Sequence, residues 1–242
     1  MNVWGARIHA PNLNRALAAW LLNAGFMGRD ERRFFEGAVT RDQIVVDVGA
    51  NQGVFALLFS RLVGPRGRVI ALEPAPALFE ALDENCRVNN AHNVTRLRTA
   101  AGETRSRGTL RCSRLNSGDN RLTDSLKGPS FPVEVMPLDD ILPTEQVHFV
   151  KIDVQGYESQ VVRGMQAIMD RSPDIKVFFE YWPAGLAHAG RAPTDLFELF
   201  IDRGFSLFEL SRSGFRTFDW QRAARSRKPR SWSWTNVLAV RE

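Results

Sequence analysis

From residue 44 onward, short apolar runs alternate with patterns of helical period, and that alternation predicts a doubly wound, mostly parallel sheet with helices on both faces. The run at 44–48 reads as the first strand and 54–62 as its helix, stopped by Gly64 and Pro65. A second strand at 68–72, a helix at 77–89 and a third strand at 94–97 follow. Left-handed conformers and proline end helices, so Gly64-Pro65 and Asn89-Asn90 fit as stops. The rhythm breaks over 102–143, where strand-like pieces at 108–112 and 133–136 flank a polar stretch at 116–127. An antiparallel hairpin inserted at the sheet's edge or rim accounts for it. The pattern then resumes with a strand at 147–154, a helix at 157–169, a strand at 175–179, a helix at 194–202 and a strand at 205–210. The β-branched and aromatic run at 234–240 is expected as a last, antiparallel strand. Ahead of the sheet, Leu13, Leu17, Trp20, Leu21 and Ala24 recur at helical spacing behind Asn12, a plausible N-cap. Residues 1–40 are therefore expected to be a helical segment packed on the core, and 41–242 the main part of a single domain.

Composition narrows the class. With 242 residues, 44% hydrophobic and 24% charged, the chain suits a globular domain and not a collagen-like, low-complexity or disordered one. Its two cysteines, Cys86 and Cys112, stand outside any C-x-x-C pattern, which argues against a zinc site or disulfide framework and for a reducing, cytoplasmic setting. No apolar run reaches 18 residues, so no membrane span is expected, and the segment 16–27, interrupted by Asn23 and Gly25, reads as a packed helix and not a signal peptide. The net charge of +5 is concentrated at 212–230, where Arg212, Arg216, Arg222, Arg225, Arg227, Lys228 and Arg230 meet one acid, Asp219. Nucleic-acid binders assemble a basic face from many segments, so one local cluster reads as a solvated loop, and nucleic acid is not expected as a partner.

The most informative string is Val45-Val46-Asp47-Val48-Gly49-Ala50-Asn51-Gln52-Gly53-Val54. Glycines after a buried strand let the backbone turn tightly and approach a ligand at the carboxyl edge, where doubly wound sheets bind ligands. A dinucleotide fingerprint would read G-x-G-x-x-G, but Asn51 stands at the second glycine position. Asp47 suits a cationic group better than an anionic pyrophosphate. Glu73, in Ala71-Leu72-Glu73-Pro74, sits where an acid accepts hydrogen bonds from ribose hydroxyls. Together the two acids describe a ligand carrying both an amine and a ribose, and S-adenosylmethionine is such a ligand.

The chain resembles the FkbM family of class I methyltransferases, over roughly residues 30 to 211. The resemblance rests on Val46-Asp47-Val48-Gly49-Ala50-Asn51-Gln52-Gly53, Leu72-Glu73-Pro74, Pro137-Leu138-Asp139-Asp140 and Val150-Lys151-Ile152-Asp153-Val154-Gln155-Gly156-Tyr157-Glu158. It implies a Rossmann-like fold and an S-adenosylmethionine cofactor held by Asp47, Gly49, Ala50, Asn51, Gly53, Glu73, Pro74, Asp153 and Gln155. It also implies O-methylation of a hydroxyl on a sugar or natural-product small molecule. Family members usually carry Glu where this chain has Gln155, which keeps the hydrogen-bonding shape and loses the charge. A catalytically impaired binding module is the first alternative reading, and an NAD-dependent oxidoreductase, disfavoured by Asn51, the second.

An alcohol is a poor nucleophile until its proton leaves, and a positioned base contributes about 10²–10⁴-fold. The candidate bases are Asp153 and Glu180 at strand ends, and His188 in the loop after Glu180-Tyr181-Trp182-Pro183. His148, opening a strand, reads as structural. Asp153, Glu158 and Glu180 are of a type that binds magnesium, but acids spread over strand ends more often contact cofactors or helices, and no metal is expected. The Asn/Asp-Pro-Pro-aromatic and Pro-Cys strings of nucleic-acid base methylation are absent from the sequence.

Overall fold

A computed structural model describes residues 2–9, 29–111, 120–122, 130–211, 214–225 and 234–241. The helix expected around residues 13–24, most of the polar stretch 116–127, Cys112, and Arg212, Arg227, Lys228 and Arg230 lie outside them. The chain divides into two compact units, Met1–Ala100 with Arg107–Glu134, and Ala101–Ser106 with Val135–Glu242.

In the first unit the strands Ile44–Val48, Arg68–Leu72 and Val94–Leu97 run parallel, with Val48 opposite Leu72 and Leu72 opposite Leu97. Val45, Val46, Val69 and Ala71 have no exposed surface, as expected of strands covered on both faces. The helix Val54–Val63 follows the first strand and Pro76–Val88 the second. Both stop where local chemistry predicts, at Gly64 with φ 70° and, two residues past Val88, at Asn90 with φ 52°. The helix Arg29–Ala38 buries Phe35 edge-on against Phe55 and Phe59, at centroid distances of 5.4 and 5.0 Å. A two-stranded antiparallel ribbon, Asn2–Val3 with Ala6–Arg7, precedes it within the segment 1–40 that was expected to be helical. The hairpin expected near 108–136 is present as Ser106–Arg111 and Ser130–Met136. With Ala100–Ala101 and Arg121–Leu122 these strands make a four-stranded sheet of their own instead of extending the edge of the main one.

In the second unit Phe149–Ile152 pairs in parallel with Lys176–Tyr181. The last strand, Thr235–Arg241, is antiparallel, as expected, and it is inserted between Lys176–Tyr181 and Phe205–Ser211. Gly214–Thr217 adds an outer antiparallel strand. All four of its residues are exposed, so it carries no alternation of buried and open positions from which a strand can be read. Aromatic contacts bind helix Pro193–Ile201 to the sheet, among them Phe179 stacked on Phe200 at 5.2 Å and Tyr181 against Phe197 at 4.9 Å.

The helix expected at 157–169 is two helices, Glu158–Arg163 and Gln166–Arg171. A Cβ on Gly164 would lie 1.9 Å from the Gly102 carbonyl oxygen, so the chain passes too close there for any side chain. The second helix is then capped from a distance: Asp139 Oδ2 accepts from the Ala167 N–H at 3.0 Å and Oδ1 from Ile168 N–H at 2.8 Å. This gives the acid of Pro137-Leu138-Asp139-Asp140 a structural role. Among the described residues no helix is long and apolar enough to cross a membrane.

Candidate functional site

In the first unit the strand Ile44–Val48 delivers Asp47, with no exposed surface, and then turns sharply over residues 49–53. The N–H groups of Gly49 and Ala50 donate to the Leu72 carbonyl at 3.0 and 2.9 Å, tying the turn to the neighbouring strand. Gly53 has φ 86°, and a Cβ there would meet Leu82 Cδ1 at 2.6 Å, so both conformation and space require glycine. Asn51, at φ 53°, adopts the left-handed region that asparagine tolerates, and its Oδ1 accepts from the Gln52 N–H at 2.9 Å. Glu73 completes the arrangement. Its Oε2 accepts from the Asn51 N–H and its Oε1 from the Ala75 N–H, both at 2.9 Å. Beneath the turn, fully buried Asn85 donates to the Gln52 carbonyl at 2.8 Å.

The second unit gathers the candidate bases. Asp153 follows strand Phe149–Ile152, and Glu180 lies near the end of Lys176–Tyr181. Gln155 joins them: its Nε2 donates to Asp153 Oδ1 at 3.0 Å and to Glu180 Oε2 at 2.9 Å. Lys151 Nζ lies 3.4 Å from Asp153 Oδ2, with the lysine side chain 6% exposed and the aspartate 39%. The sequence reading passed over this lysine, although a cation in the buried run Phe149-Val150-Lys151-Ile152 is itself a signal of a charged partner. Glu158 has no exposed surface and accepts from the Gly156 N–H at 3.0 Å. Gly156 has φ 99°, and a Cβ on it would sit 2.5 Å from the Gly185 backbone, so the loop after Asp153 abuts helix Pro183–His188. His188, expected in a loop, is the exposed last residue of that helix, its ring edge-on to Trp182 at 6.4 Å. Proline at the first helical position starts the helix that the pattern had missed.

Burial pushes the Glu180 carboxyl up to about 8, with the charges of Asp153 and Glu158 adding and the Gln155 hydrogen bond and Lys151 opposing. Burial likewise pushes Glu158 up to about 7, against the bond from Gly156. An unfolded chain releases these protons near 4.3, so between about pH 4.3 and 8 the folded state holds more protons than the unfolded one. The stability both groups contribute is complete at the acid end of that window and is lost as pH rises through 7 and 8. Melting temperature is therefore expected to fall from about pH 5 to about pH 8.5, and Glu180→Gln to flatten the upper part of the fall. A parent chain that melts higher at the alkaline end would mean that both acids ionise freely.

Residues 47–207, spanning parts of both units, match the Methyltransferase FkbM domain family. The architecture is that of a class I methyltransferase: parallel strands alternating with helices, a glycine turn after the first of them, and a last antiparallel strand inserted beside Lys176–Tyr181. The chain belongs to the FkbM methyltransferase family, whose methyl donor is S-adenosylmethionine. It is similar to Methyltransferase 1 of Beauveria bassiana (strain ARSEF 2860), 27% identical over 147 residues, 51% of this chain and 59% of that one. It is also similar to Methyltransferase sdnD of Sordaria araneosa, 26% identical over 156 residues, 50% of this chain and 60% of that one. The alignments thus span about 60% of those relatives' length. Among solved structures the fold resembles a precorrin-6y C5,15-methyltransferase from Geobacter metallireducens GS-15, with TM-score 0.51, 13% identity and coverage of 98% of this chain and 94% of that one. It also resembles an O-methyltransferase from Bacillus cereus in complex with SAH, with TM-score 0.51, 12% identity and coverage of 93% and 86%.

Proposed function

We propose that the protein transfers a methyl group from S-adenosylmethionine to a hydroxyl of a small molecule, a sugar or a natural product, in the cytoplasm. The observation that carries the cofactor half is the union of Glu73 with the turn at 49–53 through the Asn51 N–H. A carboxylate has about four lone-pair sites, so one that ties down backbone N–H groups can also accept from ribose hydroxyls. Pro74 fixes the chain beside it. Gly49, Ala50 and Gly53 bring backbone close to the ligand, and the buried Asp47 acts on the ligand's amine from beneath the turn.

When bound, the cofactor supplies an electrophilic methyl group on a sulfonium. As the acceptor oxygen bonds to that carbon the carbon–sulfur bond breaks, its electron pair neutralises sulfur, and the hydroxyl proton passes to a base. Asp153 is the base the geometry favours, because its side chain is open enough to meet an acceptor and lies beside the Lys151 ammonium. Glu180 holds its own proton up to about 8 and serves better as a hydrogen-bond donor at neutral pH. The exposed His188 is the remaining candidate.

S-adenosylmethionine or S-adenosylhomocysteine at 100 times its dissociation constant is expected to stabilise the fold by about 2.7 kcal/mol, a rise in melting temperature of roughly 5–10 °C. NAD is expected to give none. A shift with NAD and none with either methyl-cycle ligand would overturn the assignment. Transfer of labelled methyl to members of a panel of hydroxylated sugars and natural products tests the acceptor half. Cofactor binding without transfer to any of them would favour a binding module, the reading that Gln155 in place of an acid suggests.

A further inference from the structure

Two carboxylates, Asp153 just past strand Phe149–Ile152 and Glu180 in strand Lys176–Tyr181, converge on one nitrogen. Like charges so close cannot both stay ionised unless something positive lies between them, whether a proton, a metal ion or the positive end of a dipole. Here the group between them is the Gln155 amide. Its two N–H bonds go one to each acid, at 3.0 and 2.9 Å. The backbone is bent to put it there: Gln155 has φ 54°, a left-handed conformation that costs a residue with a long side chain of this kind. The other Asp153 oxygen faces the Lys151 ammonium. The Lys151 ammonium and the Gln155 amide both reach Asp153 as donors.

We propose that Gln155 is a positioning residue whose side-chain amide donates to the Asp153 and Glu180 carboxyl groups together and so holds them at fixed separation. The role rests on Asp153 being the base, since a base must be held within hydrogen-bond reach of the proton it takes. It replaces the charge that the resemblance to the family leads one to expect at this position with a neutral, two-pronged donor. The geometry makes a sharp contrast with glutamate. An oxygen at the Nε2 position would stand 3.0 and 2.9 Å from the two carboxylate oxygens. Oxygens spaced about 3.0 Å apart form the edge of an octahedral shell around a hard divalent ion with metal–oxygen distances of about 2.0–2.1 Å. Gln155→Glu, nearly identical in shape, is therefore expected to turn an amide-bridged pair into a three-carboxylate site that needs a cation.

The test uses neither cofactor nor acceptor, so its failure is separate from failure of the proposed activity. Mn²⁺ alone is titrated into the parent and into Gln155→Glu, and free Mn²⁺ is followed by its paramagnetic resonance signal. The variant is expected to bind at least about tenfold more tightly than the parent. A second variant, Gln155→Ala, removes the bridge and adds no charge. At pH 6 a proton on Glu180 can still link the pair, whereas at pH 9 Asp153 and Glu180 repel across the gap, with Glu158 adding to the repulsion and Lys151 as the neighbouring cation. Its melting temperature should therefore fall further below the parent's at pH 9 than at pH 6, by about 2–4 °C. Lost packing alone would give the same deficit at both. Either an equal deficit at the two pH values or a Gln155→Glu chain that binds Mn²⁺ no better than the parent overturns the proposal.

Discussion

Asp153→Asn is expected to lower methyl transfer at least about a hundredfold with the cofactor saturating, because a positioned base contributes about 10²–10⁴-fold and asparagine cannot take a proton. The substitution is mild in shape. An amide oxygen at the Oδ1 position still accepts from Gln155 Nε2, so the bridge to Glu180 can survive, and the amide NH2 takes the place of Oδ2 with almost no change in volume. What is lost is the charge facing Lys151. That loss leaves a buried lysine with one ionic partner fewer, so some fall in stability accompanies the loss of rate and is read separately by melting. Glu180→Gln is the control: at pH 7 its carboxyl already carries a proton, so neutralising it should cost much less. The measurement is the initial rate of labelled methyl transfer to whichever hydroxyl compound the acceptor panel yields. Turnover within a few-fold of the parent in Asp153→Asn would pass the proton to His188, or leave alignment of donor and acceptor as the main source of acceleration.

The strands at Ile44–Val48, Arg68–Leu72 and Val94–Leu97 were legible to the residue, because short runs rich in apolar and β-branched residues stand between glycine, proline and asparagine stops. The strand-end positions of Glu73 and Asp153 were legible for a related reason: a charged residue that follows such a run falls at the carboxyl edge of the sheet. What the sequence withheld depends on partners far along the chain. Gly164 at the break lies against Gly102 and the cap on the following helix is supplied by Asp139, while the local 3.6-residue period runs on through both. The link between Gln155 and Glu180 spans 25 residues and depends on the register of Phe149–Ile152 with Lys176–Tyr181. Read along the chain, Gln155 was a missing charge. Read in the fold, it is a pair of donors shared between two acids.

Glu73→Ala is expected to weaken binding of S-adenosylhomocysteine by about tenfold to a few hundredfold, since one hydrogen bond to a charged group is worth about 1.5–3 kcal/mol. The structure complicates the interpretation, because the same carboxylate accepts from the backbone of Asn51 and Ala75. Its removal leaves a turn with three left-handed residues, Gly49, Asn51 and Gly53, short of one of its ties to the neighbouring strand. Affinity can therefore fall because the ribose has lost its partner or because the turn has loosened, and a single dissociation constant does not separate the two. A cycle does. Parent and Glu73→Ala are each titrated by calorimetry with S-adenosylhomocysteine and with its analogue lacking both ribose hydroxyls. If Glu73 receives the hydroxyls, the analogue binds the parent more weakly than S-adenosylhomocysteine does, and the variant no longer distinguishes the two ligands. If the carboxylate only organises the turn, both ligands lose the same factor and the parent's preference for the hydroxylated one persists in the variant. The second pattern would take the ribose away from Glu73 and leave it as the clamp between residues 49–53 and the end of Arg68–Leu72.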